Sequence, residues 1–217
     1  MLIKSFFFPK QSTIKYRKKR GSLLRQSDFK VTKNFKKFGY DYFDNSEIKS
    51  GYDKYVNDGR YSIPIKKIIK KFNLNKRDII CEFGCAKGYA LEMFRKLGFK
   101  IIGFEISKYA KNRSNIRNFI KITNKVETIK KYKFDFFYSK NVLPHMLKRD
   151  VKKLIDLAIK QSSYKPYFVI HTYKSKKDKN LFFKWDKTHK ILFNISEWKN
   201  FLKKYDKKIV YSFDILF

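Results

Sequence analysis

Two glutamates and two glycines lie close together in the stretch DIICEFGCAKGYALEMFRKLGFKIIGFE, residues 78–105. Gly84 and Gly88 follow a short apolar run, and Glu82 and Glu105 stand at the ends of two such runs. A glycine lets the chain turn sharply and lets a ligand approach the backbone. Because ligands of open α/β sheets bind beyond the carboxyl ends of the strands, the stretch predicts a small-molecule site.

The two acids distinguish between kinds of nucleotide ligand. A dinucleotide site uses the pattern G-x-G-x-x-G to place a pyrophosphate against bare backbone, but Ala86 and Tyr89 occupy the second and third glycine positions. Glu82 would repel a pyrophosphate and attract an ammonium group. Glu105 lies where an acid accepts hydrogen bonds from a ribose diol. A site with one acid for an amino group, one for a ribose and no phosphate-binding pattern indicates S-adenosyl-L-methionine (SAM) as the ligand.

Strands and helices alternate around this stretch. Apolar residues at helical spacing predict a helix that begins at Pro64 and others that include residues 90–97, 151–159 and 198–205, the last capped by Asn194 and Glu197. Short apolar runs predict strands at residues 79–83, 101–105, 119–122, 134–138, 167–171 and 209–217, with Ser107 capping the helix after the second. The fold class is therefore α/β, a doubly wound, Rossmann-like sheet of about six to seven mostly parallel strands with helices on both faces.

The stretch EFGCAKG, residues 82–88, resembles motif I of class I SAM-dependent methyltransferases, acid-x-G-x-G/A-x-G. Glu82, Gly84, Ala86 and Gly88 match the motif, and Glu105 matches the family's ribose-binding acid. The resemblance covers about residues 60–217. It implies a SAM-binding domain in which these five residues hold the cofactor.

Later segments resemble other parts of the same family. KFDFFYSKNVLPHML, residues 133–147, is similar to motif IV, with Asn141 and His145 on the loop over the sulfonium and Pro144 in place of the family's glutamate. Thr123 and Asn124 end the third strand, where the family often contacts adenine. The segments FGYDYFD, GYDKYVNDGRY and ISEWKNF resemble a little-characterised bacterial subgroup, some of whose members are linked to glycan or small-metabolite pathways.

Two sets of residues are candidates for the acceptor side of the site. Transfer of an activated methyl needs an acceptor held in line and, for an oxygen acceptor, a base, which His145 or His171 would supply. A structural, hydrogen-bonded role is the alternative for each histidine. Tyr55, Arg60 and Tyr61 are interpreted as a lid, with Arg60 pairing with a carboxylate. Packing of the same tyrosines onto the sheet is the alternative.

Composition excludes several classes of protein and leaves one question open. The 217 residues are 43% hydrophobic and 18% aromatic, which excludes a disordered tail, and no apolar run is long enough for a membrane span. The two cysteines exclude a disulfide scaffold, and no metal site is predicted. The net charge of +34 comes from 44 Lys and only 9 Arg. It reflects either A/T-rich codons or a phosphate-rich partner.

These patterns predict the domain organisation and the function of the chain. Residues 1–62 are interpreted as a basic N-terminal arm followed by the aromatic lid segment, and residues 63–217 as the SAM-binding domain. The predicted function is methyl transfer in the cytoplasm to a small molecule, with a sugar or glycan precursor as one acceptor class. An rRNA or tRNA methyltransferase and a non-catalytic, basic nucleic-acid-binding protein are the alternatives. A dinucleotide oxidoreductase is disfavoured by Ala86, Tyr89 and Glu82.

Overall fold

The structure is a computed structural model that describes residues 1–7, 11–26, 30–52 and 54–215. The α-helices are α1 (Gln11–Gln26), α2 (Lys33–Lys36), α3 (Tyr40–Phe43), α4 (Ser62–Phe72), α5 (Tyr89–Lys96), α6 (Lys108–Asn112), α7 (Lys148–Gln161), α8 (Lys179–Trp185) and α9 (Ile195–Leu202). The strands are β1 (Ile79–Phe83), β2 (Lys100–Glu105), β3 (Ile120–Ile122), β4 (Phe136–Lys140), β5 (Tyr167–Thr172) and β6 (Val210–Ile215). Short 3₁₀ turns occupy Arg117–Phe119, Val126–Lys131, Leu143–His145, Lys176–Asp178 and Lys203–Tyr205.

Six strands form one sheet in the order β3-β2-β1-β4-β5-β6, and every pairing is parallel. The strand order reverses between β1 and β4, which creates the crevice where ligands of doubly wound sheets bind. The predicted fold class is confirmed. The predicted last strand ends at Ile215, and residues 216 and 217 lie outside the described residues.

The core has two layers, one on each face of the sheet. Alternate strand residues such as Cys81 and Phe137 pack with α7 and α9, whereas their neighbours Ile80 and Phe136 pack with α4 and α5. This alternation follows from the period of two in strand side chains. Glu82 and Glu105 share the strand parity of the α4/α5 layer, so both acids leave the sheet on the same face.

Local caps place the helix starts where the sequence predicts them. The Ser107 side chain accepts a hydrogen bond from the Ala110 amide at the start of α6. Asn194 and Glu197 form a reciprocal capping box at the start of α9. Each arrangement satisfies amides that have no partner inside the helix.

The N-terminal residues pack against the sheet and against α8. Leu2 forms a parallel bridge with Tyr211 of β6, and Leu24 of α1 is buried with Leu181 and Trp185 of α8. The guanidinium of Arg20 stacks 4.2 Å from the Trp185 ring and donates to the backbone of residues 49 and 51. The sequence analysis predicted neither α1, whose sequence is mostly polar and basic, nor α8, which is only 7 residues long. No helix in the described part of the chain is long and apolar enough to cross a bilayer.

Candidate active site

The loop between β1 and α5 has three residues in the left-handed backbone region. Gly84 and Gly88 have φ +74°, and Ala86 has φ +50°. A Cβ atom on Gly84 would lie 2.1 Å from Cγ2 of Val142, so the residue must be glycine for the β4 loop to approach. The positive φ values thus let the loop turn tightly at the carboxyl end of β1, where ligands of such sheets bind.

Glu82 is buried beside this loop and carries an unsatisfied oxygen. It pairs in register with Gly103 of β2 and Tyr138 of β4. Within the described residues, neither Oε2 of Glu82 nor the Tyr138 hydroxyl has a hydrogen-bond partner. Burial raises the pKa of Glu82 well above its usual value, an effect that the nearby Lys140 ammonium partly offsets. A buried acid without a partner fits a site that a cationic ligand group completes.

Glu105 ties the end of β2 to the glycine loop. Its Oε2 accepts from the Ala86 amide at 2.6 Å, and its Oε1 accepts from the amides of Ile106 and Ser107 at 2.9 and 2.8 Å. Burial raises the pKa of Glu105, although these three amides act in the opposite direction. Oε1 already accepts two hydrogen bonds, whereas Oε2 accepts one and keeps a lone pair for a further donor such as a ribose hydroxyl.

The loop after β4 joins two of the predicted residues into one network. Asn141 has φ +61°, and its Nδ2 lies 3.1 Å from Oδ2 of Asp214 and 2.6 Å from Nε2 of His171. His171 Nε2 is itself 3.3 Å from Oδ2 of Asp214. The β5–β6 register, which pairs His171 with Asp214, explains their proximity. The sequence analysis missed Asp214 because its partners lie 43 and 73 residues away.

His145 belongs to a second network, built around Asp186. His145 Nδ1 lies 2.8 Å from Oγ1 of Thr188, and Tyr42 donates to Oδ2 of Asp186 at 2.7 Å. His189 is fully buried here, with its ring centroid 4.7 Å from that of His145. Burial lowers the pKa of both histidines, although the Asp186 carboxylate acts in the opposite direction. Burial works against ionisation of Asp186, but the histidines and the hydrogen bonds from Thr188 and Tyr42 outweigh it and bring its pKa to about 2.

The predicted lid tyrosines are buried over the crevice. The hydroxyls of Tyr55 and Tyr61 lie 2.7 Å apart, and Tyr55 belongs to the aromatic cluster that covers Ala86. Lys87 fastens this segment to the glycine loop, because its ammonium donates to both carboxylate oxygens of Asp44 at 2.6 and 2.7 Å and to the Tyr55 carbonyl at 2.8 Å.

Three other predicted residues have mainly local partners. Arg60 is half-exposed and forms a bidentate pair with Asp58, at 2.7 and 2.8 Å. Thr123 bonds the Lys125 carbonyl and the Thr128 hydroxyl, although its amide donates to the Glu105 carbonyl at 2.8 Å. Asn124 is exposed. Arg60 thus has an intramolecular carboxylate partner, while the adenine role of Thr123 and Asn124 stays a prediction.

Sequence reasoning missed Lys87, Asp44, Asp186 and His189. Lys87 stands inside motif I, where its spacing indicates nothing beyond a loop position. The pair Asp186 and His189 carries a detectable signal, a carboxylate and an imidazole three residues apart between two predicted elements. Their connection to His145 depends on a chain separation of about 40 residues, which no local pattern encodes.

The glycine turn thus lies beside the strand-order reversal, with Glu82 on β1 and Glu105 at the end of the adjacent strand β2. A family model described as a methyltransferase domain matches residues 53–212. The chain belongs to this methyltransferase-domain family. Its expected cofactor is accordingly the family's methyl donor, SAM. No significant match is found among curated protein sequences.

Solved structures share the fold at low sequence identity. A SAM-dependent methyltransferase from Archaeoglobus fulgidus is 20% identical, with a TM-score of 0.52 and 64% of each chain covered. A candidate methyltransferase from an antibiotic biosynthesis pathway of Anabaena variabilis is 15% identical, with a TM-score of 0.51 and coverage of 66% of this chain and 60% of that one. This chain therefore spans less than two thirds of the length of these two structures.

The side chains present at the crevice fit SAM. The unpartnered oxygen of buried Glu82 suits an ammonium group, and a second buried acid, Glu105, lies at the end of the adjacent strand. Gly84 and Gly88 allow Val142 and Ile116 to pack closely against the glycine turn, which shapes the wall of the crevice. A pyrophosphate would meet the Glu82 carboxylate instead, which argues against a dinucleotide.

Proposed function

We propose that the chain transfers a methyl group from SAM to a small-molecule acceptor. The observation that carries the proposal is the unpartnered Oε2 of buried Glu82 beside the glycine turn. Glu82 would accept a hydrogen bond from the ammonium of the methionine moiety, and Oε2 of Glu105 would accept one from a ribose hydroxyl. The bound cofactor supplies an activated sulfonium methyl, so this chain's residues need only hold the acceptor in line and exclude water.

The acceptor side is assigned to the loop after β4 and its neighbours. His171 is the better placed of the two candidate bases, because Asp214 lies 3.3 Å from its Nε2 and would stabilise the imidazolium that forms. Tyr55 and Tyr61 would close over the ligands and keep water out. The resemblance of this aromatic segment to the glycan-linked subgroup supports a sugar or glycan precursor as the acceptor.

A labelling experiment tests both the reaction and the acceptor class. Untagged protein is incubated with SAM carrying a labelled methyl group and either an RNase-treated, filtered metabolite extract or total RNA. We expect label in a small molecule of the extract, and no transfer by Glu82→Gln. The matched control is Asp78→Asn. Asp78 is a buried acid directly before the start of β1, at the end far from the glycine turn, so this variant should retain transfer.

Label that enters RNA alone would contradict the small-molecule proposal and favour the RNA methyltransferase. Absence of transfer together with RNA binding that weakens steeply with salt would favour the non-catalytic, basic nucleic-acid-binding protein. The net charge of +34 favours binding to a polyanion such as RNA, which is why the experiment includes these two alternatives.

A further inference from the structure

All three histidines of the chain lie in one cluster. The ring centroid of His189 is 4.7 Å from that of His145 and 6.3 Å from that of His171. Asp186 lies among them, and the donor atoms of His145, Asp186 and His189 all fall within 4.8 Å of one another. Three such groups from two separate segments, the β4 loop and the turn after α8, converge on one buried point.

The distances within this set suit an ion better than direct contact. Oδ2 of Asp186 is 3.9 Å from Nε2 of His145 and 4.0 Å from Nε2 of His189. Both separations are too long for hydrogen bonds. Zinc bonds of about 2.0–2.2 Å place tetrahedral ligand atoms roughly 3.4 Å apart. The two carboxylate–imidazole distances would therefore shorten by about half an ångström around an ion, and the imidazole–imidazole distance, which is within 4.8 Å, by up to about 1.4 Å.

The nitrogens of His189 have few partners in the described structure. Its side chain is fully buried, and apart from an interaction with the Phe182 backbone no described residue forms a well-aligned hydrogen bond with either ring nitrogen. The ring is stacked on Phe182 at 4.3 Å, which fixes its orientation. A buried imidazole without a well-aligned partner is costly unless something binds it.

The surrounding groups orient the other two ligands. Oγ1 of Thr188 lies 2.8 Å from Nδ1 of His145, which leaves Nε2 of that ring for a metal. Oδ1 of Asp186 accepts from the Thr188 amide at 3.0 Å and from its hydroxyl at 2.6 Å, while Tyr42 holds Oδ2. Hydrogen-bonded ligands of this kind are the rule around protein metal sites.

We propose that His145, Asp186 and His189 bind a divalent transition-metal ion of the zinc class, with a fourth position for water. Two imidazoles and one carboxylate are ligands that such ions prefer, whereas Mg²⁺ and Ca²⁺ select oxygen ligands. This assignment goes beyond the proposed methyl transfer and departs from the sequence analysis, which predicted no metal. An ion on Nε2 of His145 would leave His171 as the candidate base.

Calorimetry on untagged protein stripped with a chelator tests the site directly. Zinc chloride should bind at one equivalent and raise the thermal midpoint of unfolding, because an ion that binds only the folded state stabilises it. Magnesium chloride should do neither. Cobalt(II) should give the visible absorption of a low-coordinate site with nitrogen and oxygen ligands.

Variants connect the ion to the three side chains. His189→Gln and Asp186→Asn should lose zinc binding. Thr188→Val removes the hydroxyl's hydrogen bonds to both His145 and Asp186 and should weaken zinc binding about 10–100-fold. His171→Gln is the matched control, since this histidine of the same cluster is held by Asn141 and Asp214 and should leave zinc affinity unchanged.

Wild-type protein that binds no zinc, or folded His189→Gln that binds it like the wild type, would overturn the site. If the ligand variants fail to fold, an octahedral cobalt spectrum of the wild type would overturn it as well. Titration with S-adenosylhomocysteine on the same samples keeps the two proposals separate. Protein that binds zinc but not S-adenosylhomocysteine would contradict only the methyl-transfer function. Protein that binds S-adenosylhomocysteine but not zinc would contradict only the metal site.

Discussion

Glu82 combines two properties that ordinary buried acids avoid. It lies out of water, and one of its oxygens has no partner within the described residues. Its raised pKa means that the folded, ligand-free protein holds a proton there that the unfolded chain gives up at lower pH. The contribution of Glu82 to the free energy of unfolding is therefore lost as the pH rises through its raised pKa in the folded protein.

Binding of an ammonium-bearing ligand should reverse this protonation. The cation favours the carboxylate, so S-adenosylhomocysteine binding should release a proton at a pH below the folded pKa of Glu82. Calorimetry in buffers of different ionisation enthalpy measures the release directly. Glu82→Gln should abolish it, and Asp78→Asn should retain the wild-type value. Equal proton release in the wild type and Glu82→Gln would place the ammonium elsewhere.

Gly84 shows how a single hydrogen atom allows the site to form. Its φ of +74° and the 2.1 Å approach of Val142 to a built Cβ both disfavour any side chain. Gly84→Ala should lower the free energy of unfolding by about 1–2 kcal/mol for the backbone conformation and by about 1–3 kcal/mol more for the steric clash.

Gly59 provides the matched control for this change. It has φ +76°, but a Cβ there would meet nothing within 4 Å. Urea unfolding of Gly84→Ala and Gly59→Ala therefore separates the clash from the backbone cost. Equal losses in the two variants would show that the Val142 contact does not constrain the glycine turn.

Elements that are local in sequence could be predicted, whereas their tertiary neighbours could not. The capping box of Asn194 and Glu197 and the cap at Ser107 depend on residues three apart, so the sequence shows them. The pairing of Lys87 with Asp44 joins elements 43 residues apart and depends on the aromatic segment folding back over the glycine loop. The Tyr42–Asp186 contact spans 144 residues. Such contacts follow from the completed fold and have no local signal.

The segment over the crevice is fastened mainly by the buried Lys87–Asp44 pair. Lys87→Met should lower the free energy of unfolding by about 1–3 kcal/mol, because it leaves the Asp44 carboxylate and the Tyr55 carbonyl without their donor. Arg60→Met, which removes the half-exposed pair with Asp58, should cost about 0–1 kcal/mol. Denaturant unfolding of both variants measures the contrast.

The pH dependence of this contrast has a definite sign. Partial burial works against ionisation of Asp44, but the hydrogen bonds from Lys87 and Tyr109 outweigh it and lower the pKa of this carboxyl. A carboxyl whose pKa is lowered by folding stabilises the protein at pH values above its pKa in the unfolded chain. This contribution disappears as the pH falls through its pKa in the folded protein. The difference between wild type and Lys87→Met should therefore shrink in acid. A difference that persists at low pH would contradict an electrostatic attachment.

At the scale of the whole molecule, the net charge of +34 is the dominant feature. Several acids are already paired, as Asp44 is with Lys87, which leaves a large excess of lysines to repel one another. Salt screens this repulsion, since the Debye length falls from about 30 Å at 0.01 M to about 8 Å at 0.15 M. Self-repulsion of this size destabilises the compact state.

The thermal midpoint of unfolding should therefore rise when sodium chloride is increased across this range. A neutral osmolyte at matched osmolality is the control and should produce a smaller rise. A midpoint that falls with salt would show that attractive ion pairs, such as Lys153 with Glu127, outweigh the lysine repulsion.

Binding of S-adenosylhomocysteine, with NAD as the comparison, tests the central claim most directly. Calorimetric titration of the wild type should show saturable binding of S-adenosylhomocysteine and none of NAD. Glu105→Gln should weaken that binding, because a charged acceptor for a ribose hydroxyl is lost. Folded protein that binds NAD and not S-adenosylhomocysteine, or that binds neither, would contradict the assignment of this crevice to SAM.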